Sequence, residues 1–177
     1  ALSRQLLRAV GERLGPDDTV AIVTYGTDVT TFLGPVPGDD TRYVEAVEAL
    51  YANGSTNMEA GMRRAYDVAR GLRGEADEVR LMLFTDVRPN VGATGGSDFQ
   101  TLAEAGAEDG VGLTVLALGL GLDSELLAAF SHLRGGNAFS LVADEEGTAV
   151  RALMEDSWPW MVSPLAYDLE VSVQASA

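Results

Sequence analysis

Residues 79–86 of the chain read VRLMLFTD. The short, mostly apolar run from Val79 to Phe84 predicts a strand buried on both faces. Thr85-Asp86 then places a hydroxyl and a carboxylate where that strand ends. In alternating β/α sheets, ligands gather at the carboxyl ends of the strands. We therefore expect a functional loop at Thr85-Asp86.

Similar strands lie on both sides of this stretch. A buried strand is predicted at Val20–Tyr25 (VAIVTY), and residues 112–119 (GLTVLALG) are apolar almost throughout, as in a central parallel strand. Residues 138–142 predict a last strand. Val29–Leu33 alternates more weakly and precedes two prolines, which favours an antiparallel edge strand.

Helical patterns alternate with these strands. Asp40 and Asp123 are predicted N-caps, and Ser97 with Gln100 forms a capping box. The apolar stripes of two helices are expected at Val44, Val47 and Leu50, and at Met58, Met62, Ala65, Ala69 and Leu72. The order predicts an α/β, Rossmann-like three-layer sandwich. It has a mostly parallel central sheet with one antiparallel edge strand, and helices on both faces.

Composition excludes several function classes. The net charge of -15 argues against nucleic-acid binding, which needs a basic face. The chain has no cysteine, and all twelve basic residues are arginine, which removes thiol chemistry, Schiff-base lysines and P-loop lysines. His132 is the only histidine, so we expect it to be structural or exposed. No apolar stretch approaches the roughly 18 residues that cross a bilayer.

Two loops contain most of the polar side chains expected near the sheet: GSTN at 54–57 and TDVRPN at 85–90. Taken alone, Thr56 is compatible with a helix cap and Asp86 with a turn at a strand end. In order, the segments LGPDDTVAIVTYG, GSTNMEAGMRRAY, LMLFTDVRPNVG and VGLTVLALGLG resemble the von Willebrand factor A (VWA) domain, particularly its bacterial surface or lipoprotein branch. The resemblance covers nearly the whole chain.

This resemblance implies a metal-ion-dependent adhesion site (MIDAS). In that family three loops supply oxygen ligands to one Mg²⁺ or Mn²⁺: a DxSxS motif, a threonine and an aspartate. Thr56 matches the threonine and Asp86 the aspartate. A small hard cation takes about six oxygen ligands, and an acidic side chain of a protein partner would complete the set. The resemblance also implies an extracytoplasmic location and leaves the cytoplasm open.

Two departures from the family pattern stand out. Val87 replaces the usual glycine after the aspartate, and no DxSxS occurs in the chain. In the family that motif ends a strand in the middle of the sheet. We therefore expect Val20–Tyr25 and Val79–Phe84 to lie on either side of a slot for one strand. Upstream residues or another segment would fill this slot. We predict a VWA domain at 1–157 and an extension at 158–177, whose strand leads toward a further domain.

Three functions remain open at this point. The first is a non-enzymatic, metal-dependent protein-binding module of a larger protein, for adhesion or assembly. The second is a VWA-like scaffold whose degenerate site binds partners without metal. The third is a phosphoryl-transfer hydrolase that uses Asp86 as nucleophile. The third finds little support, because only Arg88 is available to bind a phosphate and no GxGxxG opens a helix.

Overall fold

The computed structural model of the protein describes residues 2–51, 56–85, 96–119, 128, 130, 132–142 and 147–163. Two predicted N-caps, Asp123 and the side chain of Ser97, lie outside the described part of the chain. The described helices and strands alternate in the order α1 (Leu2–Gly11), β1 (Thr19–Tyr25), β2 (Val29–Pro37), α2 (Thr41–Ala49), α3 (Met58–Leu72), β3 (Val79–Thr85), α4 (Gly96–Glu108), β4 (Val111–Leu118), β5 (Gly136–Leu141), α5 (Thr148–Asp156) and α6 (Trp158–Val162).

The strands form a parallel sheet and an antiparallel pair, which confirms the predicted fold class. In the first, β4 lies between β3 and β5 and all eight of its residues are buried, as expected of a central strand. In the second, β1 pairs with β2. The β2 strand is longer than predicted and runs through both Pro35 and Pro37. Proline is tolerated there because an edge strand leaves one side of its backbone unpaired.

Helices cover the sheets on two faces. On one face, α3 and α4 pack against β3 and β4 through a core that includes Met62, Tyr66, Phe99 and Val115. On the opposite face, α1, α5 and α6 pack against β3, β4 and β5. A smaller core joins α2 to β1 and β2. Helix α1 contributes to two of these cores. Leu6 lies in the core with α5 and α6, and Leu7 packs against the core with α2.

The predicted helix α2 is present, but its buried face differs from the prediction. Asp40 caps it as expected, because its carboxylate accepts a hydrogen bond from the Arg42 backbone N–H at 2.9 Å. Val47 is fully buried, whereas Val44 is 56% exposed, so its assignment to the apolar stripe was wrong. Tyr43 takes that place and is 2% exposed, because its ring packs over Gly11 of α1.

The strands β1 and β3 are less buried than the sequence predicts. Only Ile22 is buried in β1, and only Leu83 and Thr85 are buried in β3. One edge of β1 pairs with β2, and one edge of β3 pairs with β4. No strand among the described residues pairs with the other edge of either strand. An apolar strand that lacks a neighbour leaves its backbone and flanking side chains partly open to solvent. Among the described residues, the edges of β1 and β3 that face the expected slot therefore have no neighbouring strand.

One hydrogen bond crosses this slot. The Tyr25 hydroxyl, at the end of β1, donates to the Phe84 carbonyl, near the end of β3, at 2.8 Å. The ends of the two strands thus lie at the same edge, and both strands run toward it. Neighbouring strands are about 4.8 Å apart, so a slot one strand wide measures roughly 10 Å. A tyrosine side chain with one hydrogen bond reaches across such a distance.

The buried hydroxyl of Tyr43 predicts sensitivity to high pH. It donates to the Leu7 carbonyl at 2.7 Å, and burial raises the pKa of Tyr43 to about 12, above the value of about 10 in an unfolded chain. The folded state favours the neutral form, so this contribution is complete below about pH 10 and is lost as the pH rises through about 12. We expect Tm to fall between these pH values and Tyr43→Phe to flatten the fall.

Tyr51→Phe is the matched control, because Tyr51 is 74% exposed. Thermal unfolding of the three proteins between pH 9 and 12 makes the comparison. An unchanged slope in Tyr43→Phe would contradict the assignment.

Candidate metal centre

Thr85 ends β3 at the edge of the sheet where the slot is bridged. Its side chain is 4% exposed, which is unusual for a polar residue at a strand end. Asp86 follows it directly in the chain and lies outside the described residues. The first predicted ligand is therefore located only through its neighbour.

Thr56, the second predicted ligand, lies just before α3 and is partly buried. Helix α3 begins at the same edge of the sheet as Thr85. A Cβ added to Gly61, in the first turn of α3, would lie 2.7 Å from Cβ of Tyr25, so the helix rests directly on the end of β1. Because Tyr25 also bonds to Phe84, the structure brings Thr56 and Thr85 to one edge.

Asn57 caps the start of α3, a role with which Thr56 was also compatible from the sequence. The Asn57 side-chain oxygen accepts a hydrogen bond from the Ala60 backbone N–H at 3.1 Å. Asn57 is thus the N-cap of α3, as its residue type favours.

The residue types at this edge suit a hard cation. A threonine hydroxyl and an aspartate carboxylate offer the oxygen ligands that Mg²⁺ and Mn²⁺ prefer. Within the described ranges, no three His, Asp or Glu side chains come together as a metal group. His132 is exposed there, as expected. The chemistry of Thr56 and Asp86 fits the implied cation, while two residues alone leave most of its coordination to other groups.

Sequence reasoning missed one residue at this edge, Tyr25. Its hydroxyl bridges β1 and β3, and its position as the last residue of an apolar strand was the available signal.

Comparison with known proteins identifies the family. Residues 1–89, half of the chain, match the von Willebrand factor type A domain, and the chain belongs to this family. YfbK of Escherichia coli (strain K12), an uncharacterized protein, is 30% identical over 119 residues. The match covers 67% of this chain and 21% of YfbK, so the chain spans about a fifth of that relative's length.

Solved structures show the same fold at low sequence identity. BatB from Bacteroides thetaiotaomicron has a TM-score of 0.66 at 16% identity, covering 86% of this chain and 83% of BatB. The SpRpn10 VWA domain has a TM-score of 0.68 at 12% identity, covering 96% and 86%. Proximal thread matrix protein 1 of the mussel byssus, solved with a zinc-occupied MIDAS motif, has a TM-score of 0.67 at 13% identity, covering 87% and 40%.

No helix in the described ranges is long and apolar enough to cross a membrane.

Proposed function

We propose that the chain is a metal-ion-dependent protein-binding module of a larger protein, with no catalytic role. Thr56 and Asp86 hold one Mg²⁺ or Mn²⁺ at the carboxyl edge of the sheet, and an acidic side chain of the partner completes its ligands. One observation chiefly supports this proposal. Thr56 and Thr85, the residue before Asp86, lie at the same edge in a chain of the VWA family.

The charge of the chain gives the cation a clear role. A net charge of -15 repels an approaching carboxylate at long range. A bound divalent cation reverses the sign of the field close to the site and offers the carboxylate a direct ligand bond. Binding of an acidic partner is therefore expected to depend on the metal rather than on the surface charge.

We also propose that a β-strand from outside residues 1–177 occupies the slot between β1 and β3. Two apolar strands face this slot, and each presents an edge that no described strand pairs. A parallel strand there would satisfy both edges, and its end would lie beside Thr85. Oxygen ligands on such a strand would supplement Thr56 and Asp86. We propose the residues upstream of position 1 as the source.

Metal titration of the full-length protein that contains this chain tests the function. We expect one saturable Mn²⁺ site by isothermal titration, with Mg²⁺ competing. Asp86→Ala is expected to weaken Mn²⁺ binding by about 100-fold, or about 2.7 kcal/mol, and Thr56→Val by roughly 10-fold. Asp77→Ala is the matched control, because Asp77 is exposed and precedes β3 at the opposite edge. Equal affinity in the wild type and Asp86→Ala would contradict the proposed site.

A second candidate is a scaffold that binds its partner without metal. Val87 favours it, because a β-branched residue resists the positive φ that a glycine in this position permits. Under this alternative, Mn²⁺ does not bind and EDTA leaves partner binding unchanged. Metal-dependent binding that is lost with Asp86→Ala would exclude it.

An extracytoplasmic location is a further proposal, carried by the family resemblance alone. Fractionation of cells that produce the full-length protein tests it.

A further inference from the structure

The outer edges of β2 and β5 differ in how they are protected against pairing with another strand. Strand β2 contains Pro35 and Pro37, and its pairing with β1 is interrupted by register shifts. Prolines and irregular pairing are common means of keeping an edge strand from accepting a new neighbour. Strand β5 (GNAFSL) has no proline and no charged side chain, and it pairs with β4 in unbroken register. Its outer edge, with which no described strand pairs, therefore lacks these protections.

The hydrogen bonds of β5 show which of its residues face this outer edge. The Leu141 carbonyl accepts a hydrogen bond from the Gly119 backbone N–H at 2.6 Å, so the backbone of Leu141 faces the β4 side. Because backbone groups alternate in direction along a strand, Ala138 and Ser140 direct their N–H and C=O groups to the outer side. The outer edge thus presents the alternating donors and acceptors that an added strand needs.

A groove of about 260 Å³ follows this edge between β5 and α5. One stripe of α5 lines it opposite residues 140–142 of β5, and this stripe consists of Ala149, Ala152, Leu153 and Asp156. The volume is below the roughly 300–1,000 Å³ of pockets that hold drug-sized ligands. The groove therefore suits the apolar side chains of an extended peptide better than a small molecule.

The charge around the groove distinguishes between possible partners. Asp156 lies in the groove, and the neighbouring Glu155 is exposed. Residues 136–163 include five acidic residues and one arginine. A second copy of the chain would bring the same negative charge to this edge and be repelled. A basic segment would be attracted to it.

We infer that β5 accepts an extended segment of a partner protein as an added strand, with apolar side chains in the groove and basic side chains beside Asp156. In this mode of recognition, main-chain hydrogen bonds supply affinity and alternate side chains supply specificity. The site is separate from the candidate metal centre, because β4 and β3 lie between the outer edge of β5 and the slot. The inference therefore stands independently of metal binding.

A synthetic peptide of alternating valine and arginine, as long as the six residues of β5, tests this site on the full-length protein. At saturation it should slow amide exchange in β5 by at least about tenfold and leave β2 unchanged. The same peptide with N-methylated backbone amides keeps its side chains but loses edge donors, so it should give no protection. A peptide of alternating valine and glutamate should bind at least about tenfold more weakly.

Two variants locate the peptide in the groove. Ala152→Trp fills the groove from an exposed position and should weaken peptide binding by at least about tenfold. Ala105→Trp is the matched control, because Ala105 is exposed on α4. Asp156→Asn should weaken binding about threefold and reduce its dependence on salt.

The inference is wrong if the valine–arginine peptide leaves β5 unprotected or if its N-methylated form protects β5 equally. It is also wrong if Ala152→Trp binds the peptide as well as Ala105→Trp does. Slow exchange at the outer amides of β5 before any peptide is added would also contradict it, because another segment or a second copy would then occupy this edge.

Discussion

Gly106→Ala is expected to destabilise the fold by about 3 kcal/mol, near the top of the range for an overpacked core. Gly106 lies in α4 directly against the ring of Tyr66, which is fully buried in α3. A Cβ at Gly106 would overlap Cε1 of that ring and lie 2.5 Å from its Cζ. Tyr66 cannot move aside without disturbing the core between α3, α4 and β4, because it has no exposed surface.

Gly71→Ala is the matched control. Gly71 is also a helical glycine, near the end of α3, but a Cβ there meets nothing within 4 Å. Alanine favours the helix over glycine by up to about 1 kcal/mol, so this variant should be neutral or slightly more stable. Urea unfolding measures both changes. Equal midpoints for the two variants would show that α4 does not approach Tyr66 closely.

A strand in the slot between β1 and β3 should slow amide exchange along their facing edges by at least about 100-fold. In residues 1–177 alone, no described strand pairs with these edges, and most residues of both strands are only partly buried. A parallel neighbour would give hydrogen-bond partners to the backbone groups along these edges and remove them from solvent. The effect is large because it acts on two strands at once.

Hydrogen exchange followed by mass spectrometry makes this comparison between residues 1–177 and the full-length protein. Peptides from β4 are the internal control, since β4 already has a neighbour on each side. The prediction requires that β1 and β3 gain more protection than β4. Equal gains in all three strands would reflect a general increase in stability and would contradict an upstream strand in the slot.

The type and order of the elements could be predicted from sequence because they depend on local periodicity. The run at Val111–Leu118 is apolar almost throughout, and it forms the buried central strand. The exposed Val44 and the buried Tyr43 show the limit of that reasoning. Which side of a short helix faces the core depends on its neighbour, and here Gly11 admits the Tyr43 ring.

Parts of the candidate site followed from sequence only through family resemblance. The pattern singled out Thr56, but it could not tell whether Thr56 or Asn57 caps α3, because both residue types favour the position. Arg80, Thr114 and Asn137 donate hydrogen bonds to the last carbonyls of α6, and these contacts were not predicted. The three residues lie on three strands and come together only when β3, β4 and β5 align, so no local sequence pattern indicates them.

A crystal structure of the full-length protein soaked with Mn²⁺ would show whether Thr56 and Asp86 hold one cation. We expect one anomalous peak at the carboxyl edge of the sheet, within about 2.3 Å of the Thr56 hydroxyl and of an Asp86 carboxylate oxygen, as direct coordination of such a cation requires. A well-ordered edge without a peak, or a peak that contacts neither residue, would contradict it.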